Sequence, residues 1–346
     1  MSILEIPVNS SSPVVPAGVL PYRSWQAALK DAVRDPVELC RLLDLPPRFV
    51  AGAVRAARDF PVFAPRGYIA RMRPGDPNDP LLRQVLPLDD ELAAVEGFGP
   101  DPVGDRAATL SPGLLHKYRS RVLMVTTGAC AVHCRYCFRR HFPYAEGPRS
   151  PADWEDALRS IAGDSTVHEV ILSGGDPLTL VDEHLAALVA RLAEIGHVRR
   201  LRVHTRLPLM IPERVTDALV ALLRSSRLTP IMVIHANHAQ ELDATSAAAL
   251  ARLSDAGIPL LNQTVLLRGV NDDVESLVDL SERLVDLRVM PYYLHQLDRV
   301  AGAAHFEVDP RRGEQLVAQL RSRLSGYAVP RYVLETAGED HKRVLA

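Results

Sequence analysis

The sequence is poor in lysine and in cysteine and has no long apolar run, and each shortage narrows what the chain can be. No apolar stretch is long enough to span a bilayer, so a membrane role is not expected. Residues Met1–Pro21 are rich in Ser, Pro and Val but lack the basic start and apolar centre of a secretory signal, and read as a loose leader or arm. With 40 basic and 42 acidic residues the formal charge is −2, so there is no basic excess to suggest nucleic acid as a partner. Four cysteines, one of them alone at Cys40, do not make a disulfide framework. Among the 40 basic residues only Lys30, Lys117 and Lys342 are lysine. An amine can lose its proton and form a Schiff base, whereas a guanidinium stays charged, so a lysine retained against this background is a candidate for amine chemistry. Chance retention on the surface is the plain alternative for any one of them.

What the chain does have is 47% hydrophobic residues in 346, enough for one large α/β domain with an appendage. It also has a dense loop, Thr127-Gly-Ala-Cys130-Ala-Val-His-Cys134-Arg-Tyr-Cys137, which holds three of the four cysteines within eight residues. Thiolates are soft ligands for iron–sulfur clusters and for zinc. Three of them on a short loop leave one coordination position without a protein ligand, unlike a four-cysteine electron-transfer cluster. A structural zinc ion would want a fourth ligand, which His133 or His141 could supply. An oxygen-sensitive cluster points to the reducing cytoplasm.

Residues 22–110 read as helices broken by prolines. Asp35-Pro36-Val-Glu38 and Asp79-Pro80 each supply an N-cap followed by proline at the first helical position. Cys40 falls on an apolar stretch and reads as core. Further helices are expected near Pro47–Arg58 and Pro65–Arg73, and Glu96–Ser111 reads as a linker. From Ser120 strands and helices alternate. Strands are expected at Arg121–Thr126, Glu169–Ser173, Leu201–Thr205, Ile231–His235, Pro259–Leu266 and Val289–His295. Helices are expected between them, at Pro151–Ile161, Val181–Ile195, Pro212–Leu223, Thr245–Ala256 and Asp272–Leu284. Six β-α units predict an α/β fold with a parallel sheet, an open partial (β/α)6 barrel short of the eightfold closure. The tail adds a helix at Arg311–Leu324 and a strand near Arg331–Leu334. The expected organisation is an N-terminal arm and helical region (1–110), the barrel (111–300) and a C-terminal extension (301–346).

In such sheets ligands bind at the C-terminal strand ends, and the cysteine loop comes directly after the first strand. The other strand ends are polar. They carry Ser173-Gly174-Gly175-Asp176, His204-Thr205-Arg206, His235-Ala-Asn-His238, Asn262-Gln263 and His295-Gln-Leu-Asp298. Two glycines let a ligand approach the backbone, and Asp176 could accept an ammonium; a simple turn explains them equally well.

Several stretches together resemble the lysine 2,3-aminomutase family of radical S-adenosylmethionine (SAM) enzymes, and within it the branch associated with elongation factor P. They are Asp79-Pro-Leu-Leu-Arg-Gln-Val, Pro112-Gly-Leu-Leu-His-Lys-Tyr118, Cys130 to Tyr144, Ser173-Gly-Gly-Asp-Pro-Leu, Leu261-Asn-Gln to Asp272, and Met290-Pro-Tyr-Tyr-Leu-His-Gln-Leu-Asp298 with Gly302-Ala-Ala-His-Phe. The resemblance spans Trp25 to Lys342. It implies a [4Fe-4S] cluster on Cys130, Cys134 and Cys137 with one iron left for SAM, and a second cofactor, pyridoxal 5′-phosphate (PLP), on Lys342. It assigns PLP contacts to Lys117, Tyr118, Arg121 and His295, and SAM contacts to Ser173, Gly174, Gly175, Asp176, His204 and Gln263. It gives Arg139 the substrate's α-carboxylate, and Asp298 and Glu335 its ε-ammonium. The chain departs from the family at Gly338-Glu-Asp-His-Lys342, where members often have several glycines.

The implied reaction moves the amino group of L-lysine from the α- to the β-carbon, with a flavodoxin- or ferredoxin-type reductant, and supplies β-lysine for the ligase that modifies elongation factor P. A catabolic or osmolyte-forming aminomutase is the rival within enzymes. Catabolic relatives tend to carry a longer C-terminal extension with cysteines for an intersubunit zinc, which this sequence does not show; a homo-oligomer stays open. From another class, the rival is a zinc-stabilised, non-catalytic binding protein.

Overall fold

The computed structural model describes Tyr22, residues 24–148 and residues 150–346; the expected arm at Met1–Pro21 lies outside them. Five short helices come first: α1 (Trp25–Lys30), α2 (Pro36–Leu42), α3 (Arg48–Ala56), α4 (Arg66–Ile69) and α5 (Pro80–Arg83). Their starts are written in the sequence. The Asp35 side chain accepts the Val37 N–H ahead of α2, and Asp79 accepts those of Leu81 and Leu82 in α5. Such a cap stabilises a helix by about 1 kcal/mol. Cys40 is buried, as expected, in a core that these helices share with the barrel.

Among the described residues ten strands form one open sheet in sequence order: β1 (Thr109–Ser111), β2 (Leu114–Tyr118), β3 (Arg121–Thr127), β4 (Glu169–Gly174), β5 (Arg200–Thr205), β6 (Thr229–Ile234), β7 (Leu260–Val265), β8 (Met290–His295), β9 (Arg331–Leu334) and β10 (Arg343–Val344). The six expected strands are β3 to β8, all parallel. The tail strand β9 continues them as a seventh parallel member, and β1, β2 and β10 add antiparallel edges. Part of the stretch read as a linker therefore becomes β1, because the hairpin with β2 gives its backbone hydrogen bonds a partner.

The outer layer consists of α6 (Glu155–Gly163), α7 (Asp182–Glu194), the short α8 (Leu207–Met210), α9 (Asp217–Ser225), α10 (Ala244–Asp255), α11 (Val274–Asp286) and α12 (Pro310–Arg323). In α7 the buried residues Leu185, Leu188, Val189 and Leu192 fall at helical spacing on one face. Each contributes roughly 1.5–3 kcal/mol by leaving water. The helix expected from Pro212 starts later, at Asp217. A 3-10 turn occupies Pro212–Arg214, and the Thr216 hydroxyl caps the Leu219 N–H. Along β7 the buried Asn262 and Thr264 line a small cavity with Leu277 and Leu280 of α11. The alternation of the strand then turns Leu261, Gln263 and Val265 to the opposite, lumen side.

Candidate active site

β3 ends at Thr127 and the cysteine loop begins at once. Gly175 N–H donates to Thr127 O at 2.8 Å and Asp176 N–H to Ala129 O at 2.7 Å, so the end of β4 holds this loop by its main chain. A Cβ on Gly175 would meet Ala129 O at 2.2 Å, and one on Gly174 would meet Thr127 O at 2.5 Å. These glycines are small so that the cysteine loop can lie against them. The space a side chain would fill at Gly174 and Gly175 is taken by protein backbone, which leaves their main chain as what they could offer a ligand.

The Asp176 side chain is likewise engaged by protein. Its carboxylate accepts from Thr205 Oγ1 at 2.8 and 3.0 Å, from Arg206 N–H at 2.7 Å and from Leu178 N–H at 3.0 Å. It ties the β4 and β5 ends together and has no oxygen to spare for an ammonium. Burial nonetheless pushes its carboxyl up to about 6, against the pull of those donors.

The thiols of Cys130 and Cys137 are also pushed up by burial. Cys134 Sγ accepts from Arg206 Nη1 at 2.9 Å. Both zinc-completing histidines are committed elsewhere. His133 Nδ1 lies 2.9 Å from Pro61 O with its ring stacked on Phe60, and His141 Nε2 lies 3.1 Å from Ala301 O. Among the described residues no three His, Cys, Asp or Glu side chains are already gathered as a metal cage. The fit to a cluster lies in the donor chemistry: three thiols on one loop and a guanidinium N–H aimed at one sulfur.

Sequence reasoning missed what anchors the loop from outside. Arg135 is fully buried and forks onto Glu91, Nε to Oε1 at 2.8 Å and Nη2 to Oε2 at 2.5 Å, while Arg140 Nη2 reaches the same Oε2 at 2.9 Å. The alternating Arg and Cys of the motif is the signal that could have found it: a loop carrying that much buried charge needs a carboxylate from elsewhere.

The last hairpin places the third lysine. Arg343 pairs with Leu334 and Val344 with Val333, so the antiparallel register continues to set Lys342 opposite Glu335 at the C-terminal end of β9. Lys342 Nζ is ion-paired with Glu335 Oε2, and Lys117 Nζ sits 3.0 Å from Oε1. Lys117 also lies 2.6 Å from Asp105 Oδ1, and Asp105 Oδ2 accepts from Arg139 Nε at 2.7 Å. Arg139 Nη1 then donates to Ser173 Oγ at 3.2 Å. One ionic chain thus joins Lys342, Glu335, Lys117, Asp105 and Arg139. Burial opposes charge on Glu335, but Lys342 and Lys117 overcome it and hold the carboxyl down at about 2. The Tyr118 hydroxyl also bonds Glu335, and the Arg121 guanidinium lies 4.5 Å above the Tyr118 ring. Lys30, by contrast, is exposed.

Asp298 comes just after β8, half-buried. Burial first and the neighbouring Glu335 charge second push its carboxyl up to about 7, with Lys342 and Lys117 opposing. His295 and His204 are both held neutral by burial with Lys342 nearby, His295 down at about 3. His204 Nε2 is a buried polar atom without a hydrogen-bond partner among the described residues. Such an atom on a lumen-facing strand position is what a bound polar ligand would satisfy. Gln263 is on the lumen side of β7, in register with Tyr293. His235 bonds the Tyr136 hydroxyl, and His238 accepts the Gln240 N–H.

A parallel α/β barrel with a three-thiol loop at the C-terminal end of its first parallel strand is the arrangement of a radical SAM enzyme. The Radical SAM superfamily profile accordingly matches residues 124–281. The chain is 47% identical to the L-lysine 2,3-aminomutase of Escherichia coli (strain K12) over 93% of its own length and 94% of that protein. It is 45% identical to the enzyme of the same name from Haemophilus influenzae (strain Rd), covering 94% and 96%, and 35% identical to that from Clostridium subterminale, covering 93% and 77%. The chain belongs to the lysine 2,3-aminomutase family, isomerases whose cofactors are a [4Fe-4S] cluster, SAM and PLP.

Proposed function

We propose that this chain converts L-α-lysine to β-lysine, that Lys342 carries PLP, and that the product serves the modification of elongation factor P. The observation that carries the reading is the convergence of Lys342, Glu335, Asp298 and Arg139 on one barrel lumen beside the cysteine loop. When bound, the cluster and SAM supply a hydrogen-abstracting carbon radical, and PLP makes the nitrogen migration feasible. The protein supplies binding and position.

Arg139 offers a buried planar fork, suited to a carboxylate in a way that lysine is not. The Glu335 charge is close enough to raise the Asp298 carboxyl, and a substrate ammonium between the two would let Asp298 ionise. Glu335 holds the Lys342 ammonium; with PLP carried on Lys342 that charge would be gone, and one Glu335 oxygen would be free to accept from the substrate ammonium. Lys117, Tyr118, Arg121 and His295 suit a phosphate and pyridine ring by charge and shape. Ser173, His204 and Gln263 suit SAM by polarity, and any contribution from Gly174, Gly175 or Asp176 comes from main-chain carbonyls. Elongation factor P and its ligase, a flavodoxin- or ferredoxin-type donor and a cytoplasmic location rest on the sequence resemblance. No helix among the described residues is long and apolar enough to cross a membrane.

The test is anaerobic reconstitution and then incubation with L-lysine, SAM and dithionite. β-Lysine is the expected product, and absence of any 3-amino product overturns the reading. Borohydride should fix PLP covalently to the wild-type chain and not to Lys342→Ala. A label that persists in that variant moves the anchor to another lysine.

A further inference from the structure

Asp105 lies in the stretch the sequence presents as a linker, yet it is almost completely buried, with 2% of its surface exposed. The segment around it is shaped to put it there. The Asp101 carboxylate accepts the N–H groups of Asp105 at 2.8 Å and Arg106 at 3.1 Å, closing a turn. Gly104 takes φ +69° and comes so close to Ala337, in the loop before Lys342, that a Cβ would meet the Ala337 Cβ at 3.0 Å. Val103 O accepts from Lys117 Nζ at 2.8 Å. Further back, Gly99 exchanges hydrogen bonds with Arg299 and Ala301, the residues just after Asp298. The stretch is a strap running along the site, pinned to the loops that carry both substrate-facing acids.

Resting on the function proposed above, we infer that Asp105 is a positioning residue for substrate: its carboxylate fixes Arg139 through Nε and leaves the other edge of the guanidinium to receive the α-carboxylate. The same carboxylate neutralises Lys117, so that one buried anion holds both the carboxylate-binding arginine and the second lysine of the site. Without it the guanidinium would have no charged partner on its Nε side and could rotate. A bidentate charged contact depends on orientation, and losing one is worth about tenfold or more in binding.

The experiment compares holoenzymes of wild type, Asp105→Asn and Asp105→Glu, each loaded with cluster and PLP. In Asp105→Asn the KM for L-lysine should rise about tenfold or more, with kcat falling less. Asp105→Glu, which keeps the charge, should recover part of the loss. Inhibition by 1,5-diaminopentane, which is lysine without its carboxylate, supplies the readout that general damage cannot mimic. Its inhibition constant should stay within about twofold while that of lysine-like ligands climbs. In an Arg139→Gln background the Asp105→Asn change should add nothing to the lysine KM or binding constant. Equal weakening of both ligands, an unchanged KM, or additive effects with Arg139→Gln would overturn the inference. If Asp105→Asn does not fold, the Glu variant with the same ligand pair decides. A wild type that makes no β-lysine refutes the function itself, a result distinguishable because lysine and diaminopentane binding can still be compared by calorimetry.

Discussion

At the scale of single residues, the site is governed by where its charges are allowed to sit. Asp298 shows this best, because its carboxyl titrates in the neutral range while Glu335 beside it does not. A carboxyl raised in the fold favours its protonated form there. Its stabilising contribution is therefore complete below the ordinary carboxylate pKa and disappears as pH climbs through about 7. In the substrate-free protein, Asp298→Asn should thus gain stability relative to wild type as pH rises from 5 to 8. The expected gain is about 1–2 kcal/mol, less than the full shift implies because the group still meets some water. Chemical denaturation at the two pH values measures it; a constant difference would mean that Asp298 is ionised throughout. Added L-lysine should shrink the gap, since its ammonium stabilises the ionised wild-type carboxylate.

Among the elements, the decisive contact is between a loop and a strand end. The cysteine loop lies on Gly174 and Gly175 with backbone touching backbone, so neither side can yield by turning a side chain. Gly175→Ala should push the loop away, lower the iron and sulfide retained after reconstitution, and destabilise the chain by about 1–3 kcal/mol. Gly326→Ala, where a Cβ would meet nothing within 4 Å, is the matched control and should retain full cluster content. Equal iron in the two variants would show that the loop has slack the packing does not reveal.

For the whole molecule, the parallel strands could be read from the sequence because each is a short β-branched run between capped helices, and period and caps are local signals. The cysteine triad and Lys342 could be singled out for a related reason: spacing and scarcity need no fold to be noticed. Asp105, Glu91 and the Arg206 contact to Cys134 were not legible. Each gains its role from a partner far along the chain, and an acid in a turn looks the same whether it faces water or a guanidinium. Asp176 shows the converse. Its place beside two glycines suggested a ligand acceptor, but its oxygens are used by Thr205, Arg206 and Leu178, a saturation visible only once β4 and β5 lie side by side.

At the same scale, residues 343–346 hold Lys342 in place. Arg343 and Val344 pair with β9, Leu345 N–H donates to Tyr332 O at 2.8 Å, and Tyr332 N–H donates to Ala346 O at 3.0 Å. Deleting residues 343–346 leaves the amine and all three thiols in the chain. It should nevertheless abolish borohydride-fixable PLP while sparing iron content, and full PLP fixation in that deletion would show that the Glu335 ion pair alone is enough.

The ion pair between Lys117 and Glu335 spans 218 residues of sequence. A ribosome delivers the second partner only after every earlier strand of the parallel sheet has emerged. The two ends of the site are therefore strangers until β9 is made, and the pocket forms after the parallel strands that precede it. A nascent chain can gather thiols early, but the proposed Lys342 anchor has no place until the β9–β10 hairpin closes, so cofactor capture would report formation of that hairpin.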